Sequence, residues 1–274
     1  MAVTMAEISK LRNMTGAGMM DCKNALTETN GDMEKAIEII RKKGQAVAAK
    51  RSDREASEGC VLAAADGGFA AVLALKCETD FVAKNADFIA LTKQILDLAM
   101  AQKPADLDAL KALVIDGRTV ADLVTDRSGI TGEKMELDYY EFVKGASTVA
   151  YIHPGNKLAT LAAFNAADVD LQVKKDVAMQ IAAMNPISLD RSSVPANVIA
   201  KELEIGKEKA REEGKPEAML EKIAEGRLNK FYQESTLLEQ AFIKDAKITI
   251  AQYLKQQNKD LNITEFKRVT LNQE

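Results

Sequence analysis

The tripeptide Asp66-Gly67-Gly68 constrains this chain more than any other short stretch. Adjacent glycines supply the positive φ that a tight hairpin needs, and β-favouring residues such as Val61, Leu62, Val72 and Leu73 flank them. A strand pair over residues 58–65 and 69–76 is therefore predicted. The pattern turns helical over 85–102, where Phe88, Leu91, Ile95 and Leu98 recur every three or four residues and Pro104 follows the end. A hairpin beneath a helix is the seed of an α+β fold. The same order returns at 148–153 and 158–165, joined by Pro154-Gly155-Asn156 and followed by a helical stretch over 171–184. Two hairpin-plus-helix halves with antiparallel sheets are expected, with 133–144 as a third strand for the first sheet and 263–271 completing the second.

Residues 8–44 read as three short helices. The first offers Ile8 and Leu11, and the second offers Met19, Cys22, Ala25 and Leu26 on one face, with Thr15-Gly16-Ala17-Gly18 between them. In the third, Met33, Ala36, Ile37 and Ile40 form one stripe between the turn Asn30-Gly31-Asp32 and Gly44, read as a C-terminal cap. Residues 45–59 are Ala-rich and charged, as a helical or flexible link would be. After Asn185-Pro186, residues 193–231 are helical and charged except at Gly214-Lys215-Pro216. That reads as a helical hairpin with Val198, Leu203, Met219, Ile223 and Leu228 at its seam, either projecting as an arm or packed on the body. Residues 237–254 resume a helical pattern. The expected division is a bundle and link over 1–54, halves of the core over 55–144 and 145–190, an inserted hairpin over 191–231, and a segment over 232–274 that completes the core.

Composition removes several functions. Hydrophobic residues make up 47% and charged residues 28% of the 274, the balance of a folded globular protein. No apolar run reaches the roughly 20 residues of a membrane-spanning helix, and the first residues lack the basic-then-apolar order of a signal peptide, so the cytoplasm is the expected address. The only histidine, His153, has few partners nearby for a Ser-His-Asp, Cys-His or zinc site. Cys22, Cys60 and Cys77 form no CxxC pair and read as reduced, buried side chains. A net charge of -4 opposes general nucleic-acid binding, and the basic stretch with Lys42, Lys43, Lys50 and Arg51 reads as a solvated helix face. Gly16 and Gly18 lack the third glycine and the preceding strand of a dinucleotide loop, GxxxxGK[ST] is absent, and so are DxDxDG and HExxH. No catalytic residue, metal site, cofactor or bound nucleotide is expected.

The stretch Cys77-Glu78-Thr79-Asp80-Phe81-Val82-Ala83-Lys84-Asn85 joins the first hairpin to the next helix and sets an acid beside an aromatic. Read locally, Thr79 or Asp80 caps that helix and Phe81 enters the core.

A second reading comes from resemblance. The run from Leu11 to Leu26, Leu-Arg-Asn-Met-Thr-Gly-Ala-Gly-Met-Met-Asp-Cys-Lys-Asn-Ala-Leu, together with Thr79-Asp80-Phe81-Val82-Ala83-Lys84-Asn85, resembles signatures of the elongation factor Ts family. Tyr151-Ile152-His153, Ala182-Ala183-Met184-Asn185-Pro186, Gly214-Lys215-Pro216 and Glu225-Gly226-Arg227-Leu228-Asn229-Lys230-Phe231 are similar to further landmarks, so the likeness spans nearly the whole chain. It implies a ubiquitin-associated-like N-terminal bundle, a two-part α+β core and an inserted helical arm. It also implies exchange of guanine nucleotide on elongation factor Tu, with Thr79, Asp80, Phe81 and Val82 disturbing the partner's magnesium site, and Met19, Met20 and His153 as secondary contacts. A homodimer through the arm, within a heterotetramer, would follow. The rival readings are an adaptor for a ubiquitin-like modifier, a scaffold dimerising through the arm, and an enzyme with Cys77 or Cys60 as nucleophile.

Overall fold

The computed structural model describes residues 3–271, so residues 1–2 and 272–274 of the expected terminal segments lie outside the described residues. Three helices come first, α1 (Met5–Thr15), α2 (Met19–Glu28) and α3 (Met33–Lys50). The hairpin β1 (Glu58–Asp66) and β2 (Phe69–Cys77) leads to a one-turn helix α4 (Asp80–Ala83) and then α5 (Ala86–Gln102). Next come α6 (Leu107–Ala112), a small ribbon of β3 (Val114–Ile115) and β4 (Arg118–Thr119), α7 (Val120–Thr131) and β5 (Glu136–Lys144). The second half has β6 (Ser147–Ile152), β7 (Leu158–Phe164) and α8 (Leu171–Met184), then the long pair α9 (Ala196–Glu212) and α10 (Leu220–Ser235). It closes with β8 (Ala241–Phe242), β9 (Asp245–Thr249), α11 (Ile250–Gln257) and β10 (Ile263–Thr270). Helices and antiparallel sheets in separate layers make this an α+β fold.

The two halves repeat one topology. In each, a hairpin is followed by a helix, and a later strand pairs antiparallel with the hairpin's second strand, giving the orders β1-β2-β5 and β10-β7-β6. Both central strands are covered on both faces, which is why they read as apolar runs broken only by Lys76 in β2 and Thr160 in β7. Alternation along β2 sends Phe69, Ala71, Leu73 and Leu75 toward α5, α6 and α7, and Ala70, Val72 and Ala74 toward the other sheet. On β7, Ala162 and Phe164 face α8 and α11, while Ala159, Leu161 and Ala163 face the first sheet. The result is helix, sheet, sheet, helix.

The bundle closes over Ile8, Leu11, Cys22, Ala25, Leu26 and Ala36. Two expectations about it fail. Met19 starts α2 on its solvent side and is 42% exposed. Gly44 is no cap, because α3 runs through it to Lys50. It sits instead at a helix crossing that the missing side chain of Gly129 on α7 permits: a Cβ on Gly129 would lie 2.3 Å from the Cα of Gly44. The two backbones touch there and dock the bundle on the first half of the core.

Two further expectations change in the second half. Small residues bring α9 and α10 together, since Gly206, Ala210 and Ala224 are buried along with Leu220, while Met219 faces solvent and Val198, Leu203, Ile223 and Leu228 are only partly covered. A Cβ on Gly206 would meet the Ala224 Cα at 3.1 Å, so bulkier seam residues would hold the helices apart. The helix expected over 237–254 begins only at Ile250, where Thr249 and Gln252 form a capping box. Before it, β8 and β9 form a short hairpin whose Phe242 stacks on Tyr253 at 4.3 Å, so burial against α11 produced the helix-like spacing.

Alanine for glycine inside a helix ordinarily stabilises it by up to about 1 kcal/mol. At Gly129 the new Cβ would strike backbone, so Gly129→Ala is expected to destabilise the chain by about 1 to 3 kcal/mol. Faster tryptic cutting after Arg51 and Arg54 should accompany a lower Tm. A raised Tm with unchanged cutting would refute the close crossing.

Candidate functional site

Strand β2 ends at Cys77 and the chain turns at once into α4. Thr79 is the N-cap of this short helix, its hydroxyl oxygen accepting from the Val82 amide at 3.3 Å, and Asn85 separately caps α5 through the amides of Asp87 and Phe88. Local reading therefore assigned Thr79 to the wrong helix: two caps in series leave room for one extra turn between them. Val82 is partly buried against the core of the first half, and Ala83 is fully so. Phe81 points the other way and is 86% exposed, which overturns its local reading as a core residue. The core position belongs to Phe88, at 1% exposure.

Asp80 is exposed and pairs with Lys84 at 2.6 Å. The Lys84 ammonium holds the Asp80 carboxyl below the usual carboxylate range, and the carboxylate in turn raises Lys84. Lys157 also helps to lower Asp80, which brings the turn after β6 to the same end of the molecule as the loop. His153 lies just before that turn. It is exposed, and its Nδ1 is 3.0 Å from the Tyr151 hydroxyl. The turn is tied to the first sheet where the Val61 amide donates to the Asn156 carbonyl at 2.7 Å. Thr79, Asp80, Phe81, Val82 and His153 are thus carried at one end of the core, whereas Met19 and Met20 stand exposed on the bundle, Met20 at 65%.

The loop is also held from residues that no local pattern singled out. Glu133, after α7, accepts from the Thr79 hydroxyl at 2.6 Å and from the amides of Glu78 and Thr79 at 3.1 Å each. Glu78 accepts from Arg51 at the end of α3, 3.0 Å away. Because 54 positions separate Thr79 from Glu133, sequence spacing carries no trace of this contact. The thiols offer nothing reactive. All three are buried, burial pushes Cys60 up to about 11 and Cys77 up to about 12, and a thiolate nucleophile is thereby disfavoured. Among the described residues no cluster of His, Cys, Asp and Glu has the geometry to hold a metal ion, and no helix is long and apolar enough to cross a membrane.

Comparison with known proteins now bears on this arrangement. The family model described as elongation factor TS matches residues 78–273, beginning at the loop itself. The chain is 63% identical over 273 residues to elongation factor Ts of Porphyromonas gingivalis, covering 99% of each. The chain belongs to the elongation factor Ts family. It is 56% identical over 274 residues to the Azobacteroides pseudotrichonymphae member, covering the whole of both. With the Phocaeicola vulgatus member it shares 50% identity over 331 aligned positions, so that relative carries inserted residues within the same overall plan.

The exposure of Phe81 and the burial of Phe88 make opposite predictions for stability. Phe81→Ala should leave unfolding free energy within about 0.5 kcal/mol of the parent. Phe88→Ala should cost about 3 to 5 kcal/mol. Denaturant melts of the two variants check this, and a comparable loss from both would return Phe81 to the core.

Proposed function

We propose that this chain is a guanine-nucleotide exchange factor for elongation factor Tu in the cytoplasm, acting in translation elongation by binding its partner and performing no bond chemistry of its own. The observation that carries the reading is Phe81, a nearly bare aromatic on a turn capped by Thr79, in a chain of the elongation factor Ts family. An exposed phenylalanine on a rigid turn gains about 1.5 to 3 kcal/mol when a partner buries it. Beside it, Asp80 brings a carboxylate already ionised at neutral pH, able to compete with the ligands of a cation.

Exchange is a problem of coupling. A nucleotide bound at nanomolar affinity is held by about 12 kcal/mol, and a factor that weakens it must itself be weakened by the nucleotide to the same degree. Moving such a balance from 1:99 to 99:1 takes about 5.5 kcal/mol of differential affinity. One wedge is too small for that. Phe81 and Asp80 therefore act near the magnesium and phosphate site, Thr79 and Val82 fix their turn, and Met19 and Met20 on a ubiquitin-associated-like bundle and His153 at the hairpin tip add distant contacts. The pair α9 and α10 serves as a dimerisation arm, so that two copies carry two partners.

Release of a fluorescent GDP analogue from elongation factor Tu is the test. The parent chain should accelerate release at substoichiometric concentration, and Phe81→Ala should lose most of that acceleration, at least about tenfold, while remaining folded. No acceleration by the folded parent would refute exchange; normal acceleration by Phe81→Ala would refute the wedge.

A further inference from the structure

We infer that Glu133 is a positioning residue for nucleotide exchange, forming with Glu78 and Arg51 a strut that sets the angle at which Asp80 and Phe81 meet the partner. The inference rests on the loop being the exchange element, and it adds residues outside that loop. Glu133 follows Gly132, whose left-handed backbone, φ 74°, ends α7 with its amide on the Ser128 carbonyl at 2.9 Å. From that fixed point both carboxylate oxygens are used. Oε1 accepts the Thr79 hydroxyl at 2.6 Å, and Oε2 accepts two amides, of Glu78 and Thr79. Those amides belong to neither β2 nor α4, so without Glu133 they would have only water to bond.

The contact is reciprocal. Glu78, 16% exposed at its side chain, accepts from the Lys134 amide at 2.7 Å, so each glutamate binds the backbone of the other's segment. Arg51 neutralises the Glu78 carboxylate, its Nη1 lying 3.2 and 3.0 Å from the two Glu78 oxygens. Arg51 is the C-cap of α3, so the same strut carries the seating of the bundle to the loop. Thr79 gives its proton to Glu133 and its lone pair to Val82, which leaves its side chain a single rotamer and fixes the first turn of α4, where Phe81 sits.

Glu133→Ala removes all three acceptor contacts. Glu133→Gln keeps a carbonyl oxygen for the two amides and an amide N–H to donate to the Thr79 hydroxyl oxygen. In stopped-flow release of a fluorescent GDP analogue from elongation factor Tu, Glu133→Ala should lower the rate at saturating factor about tenfold or more. The half-saturating concentration should change less than about threefold, and Glu133→Gln should keep at least about a third of the parent rate. In the free chain, hydrogen exchange at the Glu78, Thr79 and Val82 amides should quicken in Glu133→Ala while β1 and β2 stay protected. An unchanged saturating rate in Glu133→Ala, an equal loss in Glu133→Gln, or loss of protection throughout β1 and β2 would each overturn the positioning role. A parent chain that fails to accelerate release overturns the exchange reading instead, and the free-chain hydrogen exchange then still decides whether the strut orders the loop.

Discussion

Everything in this molecule hangs on the layer between its two sheets. Ten buried residues fill it, Val61, Ala63, Ala70, Val72, Ala74, Val143, Ala159, Leu161, Ala163 and Val269, and half of them are alanine. Small side chains let the two sheets approach closely, and that closeness has visible consequences at the edges. A Cβ on Gly68 would lie 2.6 Å from the Gly145 carbonyl, and one on Gly145 would lie 2.8 Å from the Phe164 carbonyl. The Thr148 amide donates to the Gly67 carbonyl at 2.9 Å, so the tip of the first hairpin is stitched to the start of the second. Only after this layer is closed do the outer faces of β2 and β7 have a fixed spacing on which α5 and α8 can pack. Cores of this density tolerate little change in volume, so the sheets behave as one rigid body.

Rigidity at the centre gives direction at the end. Strand β2 has neighbours on both sides, covers on both faces, and delivers the chain to Glu78 with little freedom left. A four-residue helix could not hold its own shape in water, because nucleating a helix costs more than one turn returns. Here α4 is held by its cap from Thr79, by burial of Ala83 and by Glu133 across the gap. Three weak restraints on one turn leave Phe81 the side chain with nowhere inside to go.

Much of this was legible from the residues alone, for reasons that differ by element. The hairpins at Asp66-Gly67-Gly68 and Pro154-Gly155-Asn156 announced themselves because turn chemistry is local, and the helix over Leu171–Met184 because Asn185-Pro186 stops it, where the structure has Asn185 in a left-handed conformation. Residues 103–132 gave no element in advance: α6 has six residues, the β3–β4 ribbon has two residues a strand, and α7 was not read. Gly44 misled and Gly129 and Gly206 stayed silent for one reason: a glycine at a close crossing of two helices looks in sequence like one that ends a helix. The resemblance pointed to Thr79-Asp80-Phe81-Val82 as contact residues, while the local reading of a capped helix start sent Phe81 inward, where the structure leaves it 86% exposed. Periodicity says which residues share a face, and it cannot say that a helix of one turn has only one face covered. Glu133 left no signal, because its partners at Glu78 and Thr79 lie 55 and 54 positions away and no local pattern spans that distance.

The arrangement also explains why an exchange element would be built on so much scaffold. Fixing the backbone of one residue costs about 1 to 2 kcal/mol, so a disordered loop of four residues would lose several kcal/mol on binding, as much as burial of Phe81 could return. A loop ordered before it meets its partner meets that cost during folding, where the strands and helices of the first half offset it. The whole gain from burying Phe81 is then left for the contact itself. Asp80 follows the same logic in charge: Lys84 orients it in the free chain, and because that pair is exposed and screened, releasing Lys84 in favour of a stronger cation is cheap. Preorganisation of the aromatic and easy release of the acid are opposite properties, and the fold places them on adjacent residues by burying one side of a single helical turn and leaving the other in water.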